Sequence, residues 1–358
     1  MGSAAVADLV ERTEHEVSVG DIRPDAAASL LRRLGALERV VRVDVEDPAS
    51  LAAAVAGADV VLNATYMRHN VRVTDAAIAA GVHLVDLGSY YPETLQQLER
   101  STLAVAAGCR VVPGCGVAPG LTNILARLGA DRLDRVDAIH LYSYITHAMW
   151  TSPGIVVTRF DASTGTSVAF ESGALVEHPS FSEAEQISFP APYGEQEVHI
   201  VPHPEPVTLP RYIDVRDVVF KVGYPADETQ RIKVLLELGF DDDRPFRVDG
   251  VEMSPRRFAG AWIGSRGIGP NERSANVKQV CVSGVREGRA VTLVYDFAVE
   301  QVGRSASSAI TGTVAAIAAD LVAQGGPVGV HPPEGAFDPR TFLDALASRG
   351  FVISEREL

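Results

Sequence analysis

Residues 40–86 read VVRVDVEDPASLAAAVAGADVVLNATYMRHNVRVTDAAIAAGVHLVD. Three Val-rich runs, Val40–Val45, Val60–Ala64 and Val82–Asp86, alternate with two Ala-rich stretches, Pro48–Gly57 and Val71–Gly81. Short β-branched runs spaced by single helices are βαβ units of a parallel sheet. The same alternation extends both ways. Toward the N-terminus come a helix over Ser3–Thr13, a strand over Glu16–Gly20 ending at Asp21, and a helix over Pro24–Leu37. Toward the C-terminus come a helix over Thr94–Gly108 and a strand over Cys109–Val112 that runs into Pro113-Gly114. The fold class expected is α/β, a Rossmann-type doubly wound parallel sheet.

The middle of the chain has a different rhythm. Strand-like runs at Ala138–Ile145, Gln186–Phe189, Val198–Val201, Val215–Val222, Val277–Val285 and Ala290–Val299 are broken by Pro- and Gly-bearing turns. One helix, Asp227–Leu238, stops at Gly239. This predicts a second, α+β domain built on an antiparallel sheet. Helices at Ser305–Gln324 and Pro339–Arg349 then return to cover the parallel sheet. The expected division is 1–134 completed by 301–358, a dinucleotide-binding domain, and 135–300, a substrate-binding and dimerisation domain.

The chain has 358 residues and a formal net charge of −14, from 46 Asp+Glu against 32 Lys+Arg. That balance argues against a nucleic-acid or anionic-membrane partner. No unbroken apolar run is long enough to cross a bilayer, and no basic-then-apolar leader opens the chain. Cys109, Cys115 and Cys281 are too few and too scattered for a disulfide framework. A reduced, cytoplasmic enzyme acting on a small molecule is expected. Only three lysines, Lys221, Lys233 and Lys278, are available for amine chemistry.

A doubly wound domain carries G-x-G-x-x-G at its first strand-to-helix turn, with an acid about 20 residues on that takes the ribose. Asp21 stands 19 positions after Gly2, so Gly2 reads as the third glycine, Ser3 as its neighbour at the helix start, and Asp21 as the ribose acid. An acid there favours NAD, and Arg23 leaves NADP possible. The first strand and the other two glycines are missing in this register. The reading therefore expects Met1 to be an internal methionine of a longer natural chain. Later strand ends place Asp44 and Val45 near adenine, Asn63, Ala64 and Thr65 beside the second ribose, and Asp86 at the crevice.

The run VPGCGVAPGLTN, residues 112–123, resembles the strand-to-helix junction of the saccharopine dehydrogenase family, within it the lysine 6-dehydrogenase-like branch. Leu62–Thr65, Asp86-Leu87-Gly88, Thr208–Arg211 and Thr311–Ala318 support the likeness, which spans nearly the whole chain. The resemblance implies an NAD(P)-linked oxidoreductase acting on the C–N bond of an amino acid, as a homodimer. In CGVAPG, the glycines Gly114, Gly116 and Gly120 are expected to leave N–H groups open at a helix start, with Gly116 and Val117 toward the substrate. Cys115 is read as small filler beside the nicotinamide. Candidate bases are Asp86, His147 and Lys221, and Arg211 is the candidate for the substrate carboxylate. His199 and His203 stand four apart, but Pro202 and Pro204 exclude a helix between them, so no metal site is expected. The alternative reading is a truncated or non-catalytic family member with a structural or regulatory role and weak cofactor binding.

Overall fold

The computed structural model describes residues 1–36, 39–147 and 152–358. It divides into two compact units: Met1–Leu128 with Ser308–Val352, and Gly129–Ser307 with Ile353–Leu358.

The first unit opens with α1 (Gly2–Arg12), β1 (Val19–Asp21), α2 (Pro24–Arg33), β2 (Val40–Arg42), α3 (Pro48–Val55), β3 (Val60–Asn63), α4 (Asn70–Ala80) and β4 (His83–Asp86). It continues through α5 (Tyr91–Leu98), α6 (Ser101–Ala106), β5 (Arg110–Val112) and α7 (Leu121–Ala130). The expected single helix over 94–108 is thus two, and the predicted end of α2 at Leu37 lies outside the described residues. Starts are chemically marked: Pro24, Pro48 and Pro92 occupy first turns, where a missing N–H costs nothing. Apolar side chains of the helices and strands, Leu51, Val55, Val73, Ala77, Leu84 and Val111 among them, form one core.

The second unit follows with β6 (Arg135–Ile145), α8 (Pro153–Ser163), β7 (Thr166–Glu171), β8 (Ala174–Pro179), β9 (Glu185–Phe189), β10 (Gly194–Ile200), α9 (Glu205–Thr208), β11 (Asp217–Gly223) and α10 (Ala226–Glu237). The hairpin β12 (Phe246–Val248) and β13 (Val251–Met253), α11 (Pro255–Gly264), β14 (Arg273–Arg286) and β15 (Arg289–Val302) complete its middle. The chain ends with α12 (Ala306–Gln324), β16 (Gly329–Val330), α13 (Pro333–Ala336), α14 (Pro339–Ala347) and β17 (Ser354–Glu357).

In the first unit the parallel strands run β16-β5-β4-β3, while β1 and β2 pair with each other. Among the described residues no ladder joins β1 to β3, the place where the doubly wound order expects a strand. In the second unit the order is β17-β15-β14-β6-β11-β10-β9, with β7 on β11 and β8 on β7. All these neighbours are antiparallel except β6 and β11. The expected antiparallel sheet is therefore mixed at that one seam. The tail corrects the sequence division: Ser354–Glu357 pairs with β15 and belongs to the second unit.

Helix α12 is long and apolar enough to cross a membrane by composition, because its Ser, Thr and Gly do not interrupt its hydropathy. Ile310, Val314, Ala315, Ile317 and Ala318 on it are buried, as in the core helix of a folded unit. At Gly312 a Cβ would stand 2.6 Å from Ala4 Cβ and 2.7 Å from Met1 O, so the absent side chain lets α12 lie against α1. A half-buried ion pair, Arg349 Nε to both Asp8 oxygens at 2.9 and 3.0 Å, ties the chain just after α14 to α1.

Candidate active site

The carboxyl ends of the first unit's parallel strands gather Asp21, Asp44, Asn63, Asp86 and Gly114, as the sequence order dictates. Asp21 closes β1, and its Oδ1 accepts the Arg23 N–H at 2.7 Å. Its Oδ2 takes no hydrogen bond among the described residues. Asp44 Oδ1 accepts the Glu46 N–H at 3.0 Å, and the Val45 carbonyl accepts from Arg72 at 3.2 Å. Ala64 and Thr65 are exposed beyond β3. Gly2 begins α1 against this edge, its Cβ position 3.2 Å from Ala64 Cβ. A larger residue would crowd the helix start, where the first-turn N–H groups, those of Gly2 and Ser3 among them, have no carbonyl within the helix. A free carboxylate oxygen, a helix start without a side chain and an exposed strand end fit a dinucleotide: Asp21 for ribose, Gly2 and Ser3 for phosphate, Thr65 beyond.

Several expected roles are corrected. Asn63 is buried, giving Nδ2 to Asn70 Oδ1 at 2.9 Å and accepting the Thr65 N–H and hydroxyl at 3.1 and 2.7 Å. It builds the turn, which spends its carbonyl oxygen and one of its two Nδ2 hydrogens within the chain. Asp86 is fully buried and accepts three hydrogen bonds, from Gly88 N at 2.7 Å, Gly114 N at 3.0 Å and Gln97 Nε2 at 2.6 Å. Burial pushes its carboxyl up, and those donors pull it back. The carboxylate clamps two loops and cannot reach a substrate proton. Gly88 is held so close that a Cβ would stand 2.6 Å from Gly114 Cα.

The CGVAPG run is closed upon itself. Gly114 N is taken by Asp86, Gly116 N by Pro119 O at 2.8 Å and Gly120 N by Asn123 Oδ1 at 2.8 Å. Leu121 N returns to Gly116 O, and Thr122 N to Val117 O. The expected open N–H groups are spent within the loop, and Gly116 and Val117 are buried. Cys115 is 1% exposed and points its thiol at Val112 O, 3.3 Å away. Burial pushes that thiol well above its usual range, so it stays protonated filler.

In the second unit, register sorts the lysines. Lys221 faces Tyr142, which faces Gln279 across the next seam. Val222 faces Ser143, which faces Lys278. Strand alternation puts Lys221 and Lys278 on opposite faces of the sheet. Lys221 is tied to Glu185 at 2.9 Å and lines a cavity of about 390 Å³ with His140, Glu171, His178 and Asp217. It is a paired cation, which corrects its assignment as a base. His147 takes a left-handed backbone, and its N–H donates to Glu228 at 2.6 Å; residues 148–151 after it lie outside the described residues. Arg211 is exposed, with Nε on Val207 O at 3.1 Å.

The face carrying Lys278 gathers a second set of buried polar groups. Its Nζ, 1% exposed by residue, donates to Ser143 Oγ and Asn276 Oδ1, both at 2.6 Å. Burial brings its pKa down to about 7, opposed by the charge of Glu205. Glu205 is fully buried and bonds His203 Nδ1, and the His203 ring stacks on Phe220 at 3.8 Å and 9°. In the tautomer that donates from Nδ1 to Glu205, Nε2 is the ring's acceptor.

Profiles of known families match both units. That of the saccharopine dehydrogenase NADP-binding domain covers residues 1–112, and that of the saccharopine dehydrogenase C-terminal domain covers residues 116–351. The chain belongs to the saccharopine dehydrogenase family. A carboxyaminopropylagmatine dehydrogenase of Synechocystis is 24% identical over 316 residues, 82% of this chain and 78% of that one. The apo saccharopine dehydrogenase (L-Glu forming) of Saccharomyces cerevisiae superposes with a TM-score of 0.75 at 17% identity, covering 100% of this chain and 98% of that one. The likeness shows the fold: an α/β NAD(P)-binding unit and a second unit on a mixed, mostly antiparallel sheet.

In this saccharopine dehydrogenase-like oxidoreductase, sequence reasoning passed over His203, Glu205 and Lys278. The spacing His203-Pro204-Glu205 was a usable signal, weighed only as half of a metal pair. Lys278 alternates with apolar residues in its strand, and only its neighbours across the seam reveal the polar pocket. A lysine that binds its proton only below about pH 7 when folded, but up to 10.5 when unfolded, makes stability rise with pH across that window. The effect is on the order of 4 kcal/mol. Lys278→Met is expected to abolish this rise, seen as urea midpoints at pH 7 and 9.5 that no longer diverge as they do in the parent.

Proposed function

We propose that this oxidoreductase acts on the C–N bond of an amino acid, oxidising an amine or reducing an imine as a lysine or saccharopine dehydrogenase does. The observation that carries the reading is the His203–Glu205 pair on the same sheet face as the buried Lys278 amine. An alkyl ammonium must lose a proton before its carbon can give up hydride, and His203 Nε2 is placed to accept one. Lys278, poised near neutrality, adjusts the charge of that pocket as the proton moves. Bound NAD(P)+ supplies the hydride acceptor. The name carboxyaminopropylagmatine, borne by the Synechocystis relative, carries both an amine and a carboxylate and supports an amino-acid substrate here. Asp21, with one oxygen free, supports NAD over NADP, because a 2′-phosphate would meet its charge.

The test is reduction of NAD+ and NADP+ by a panel of amino and diamino acids, read at 340 nm. Absorbance is expected to rise with at least one of them, faster with NAD+, and Asp21→Ser is expected to narrow that preference. A protein that binds the cofactor yet reduces it with none of the amines removes the reading.

A further inference from the structure

Arg159 lies on the inner side of α8, 3% exposed, and its Nε, Nη1 and Nη2 all lack a hydrogen-bond partner. Such a guanidinium is rare, because five donors removed from water without an acceptor are costly. The carboxylates around it are engaged elsewhere. Asp161 on the same helix is bonded by Arg256, and Glu228 accepts the His147 N–H. Glu228 acts on Arg159 only through its field.

Aromatic rings hold the guanidinium in place. Its Cζ is 2.8 Å from the centroid of Tyr224 and 5.4 Å from that of Phe181. Phe181 also stacks on the His199 ring at 4.2 Å and 12°, so His199 and Arg159 share one aromatic neighbour. His199 Nδ1 is buried without a partner, and so is Ser163 Oγ, one helical turn after Arg159. His199 turns Nε2 toward Glu197 at 3.4 Å, which leaves Nδ1 as the acceptor of a neutral ring. Two side chains one helical turn apart, Arg159 and Ser163, thus bring unspent donors to one region, with Tyr224 against the guanidinium. A guanidinium packed on a ring keeps its hydrogen-bonding edge in its own plane, and that edge matches a carboxylate.

We propose that Arg159, with Ser163, forms a subsite for a carboxylate of the substrate, the role expected above of Arg211. The proposal deepens the amino-acid reading above and rests on it for the identity of the ligand. Without a ligand the site is destabilising, since burial pulls even the arginine pKa down to about 10. A binding site that costs stability until it is filled is a common compromise.

Calorimetric titration of the full chain with glutarate, L-glutamate and 1,5-diaminopentane tests it. Glutarate and L-glutamate are expected to bind the parent protein and the diamine, which has no carboxylate, to bind far less. Charge-assisted hydrogen bonds of this kind are worth about a 10- to 100-fold change in Kd, and Arg159→Met is expected to weaken both acids by that factor. Arg159→Lys keeps the charge, loses the planar fork and is expected to fall between; it serves if the methionine variant does not fold. Failure of both acids to bind the parent overturns the proposal, as do unchanged affinities in the variants. Arg159-dependent binding of acids without any amine-driven cofactor reduction keeps the subsite and removes the amino-acid reading. Amino-acid turnover with an unchanged KM in both variants does the reverse.

Discussion

Replacing His203 by asparagine is expected to lower kcat by about 10²- to 10⁴-fold, the usual worth of a positioned general base. Asparagine can still donate to Glu205, so the buried carboxylate keeps a partner and the fold is preserved. What disappears is the proton acceptor at Nε2, while the cofactor KM stays put because the nucleotide residues lie in the other unit. Glu205→Gln is expected to act in the same direction, since an amide no longer dictates which ring nitrogen carries the proton. Steady-state kinetics with an amino acid found by the 340 nm screen measure both. A His203→Asn protein as fast as its parent assigns the proton transfer to another group.

The second large effect is structural. Asp86→Ala leaves the N–H groups of Gly88 and Gly114 and the amide of Gln97 without their acceptor. At about 1–3 kcal/mol for each unmet buried donor, the loss is a large part of the roughly 5–15 kcal/mol that holds a domain together. A fall of the thermal midpoint by about 10 °C or more is expected, read by circular dichroism. Asp86→Asn should be far milder. Its oxygen can serve the two backbone donors, and Gln97 Oε1, unpaired in the parent, can accept from the new amide if Gln97 turns over. This pair of variants separates clamp from base: a catalytic Asp86 would lose turnover as asparagine, whereas the clamp keeps both turnover and stability as asparagine and loses stability as alanine.

The parallel unit was legible because its signals are local. Val-rich runs, Ala-rich helices and Pro or Gly at their ends all lie within a few residues of the element they define. The same locality explains the errors at its site. Asp86, Asn63 and the CGVAPG glycines stand at the correct strand ends, but whether a polar group faces a ligand or a neighbouring loop depends on chain that folds back beside it. Gln97 is eleven residues from Asp86, and Glu334, which accepts from Asn123 at 2.9 Å, is over two hundred from its partner. In the second unit, period-2 alternation found most strands yet could not order them. Without the order, nothing placed Ser143 opposite Lys278, or separated that lysine from Lys221. Helix α8, and Arg159 with it, has no place in the sequence reading, because the β-branched run Ile155-Val156-Val157-Thr158 gives little helical signal of its own.

The strand β17 has a consequence for how the protein is made. The first unit is completed by residues 308–352 and the second by residues 353–358, so each is closed by chain made long after its own first strands. At about 5–20 residues per second, the strands β3 to β5 wait on the order of ten seconds or more for α12 to cover them. An acidic chain that repels its own copies suits such a delay. Each unit is thus closed from downstream, and Ser354–Glu357 act as a latch on the edge of the larger sheet.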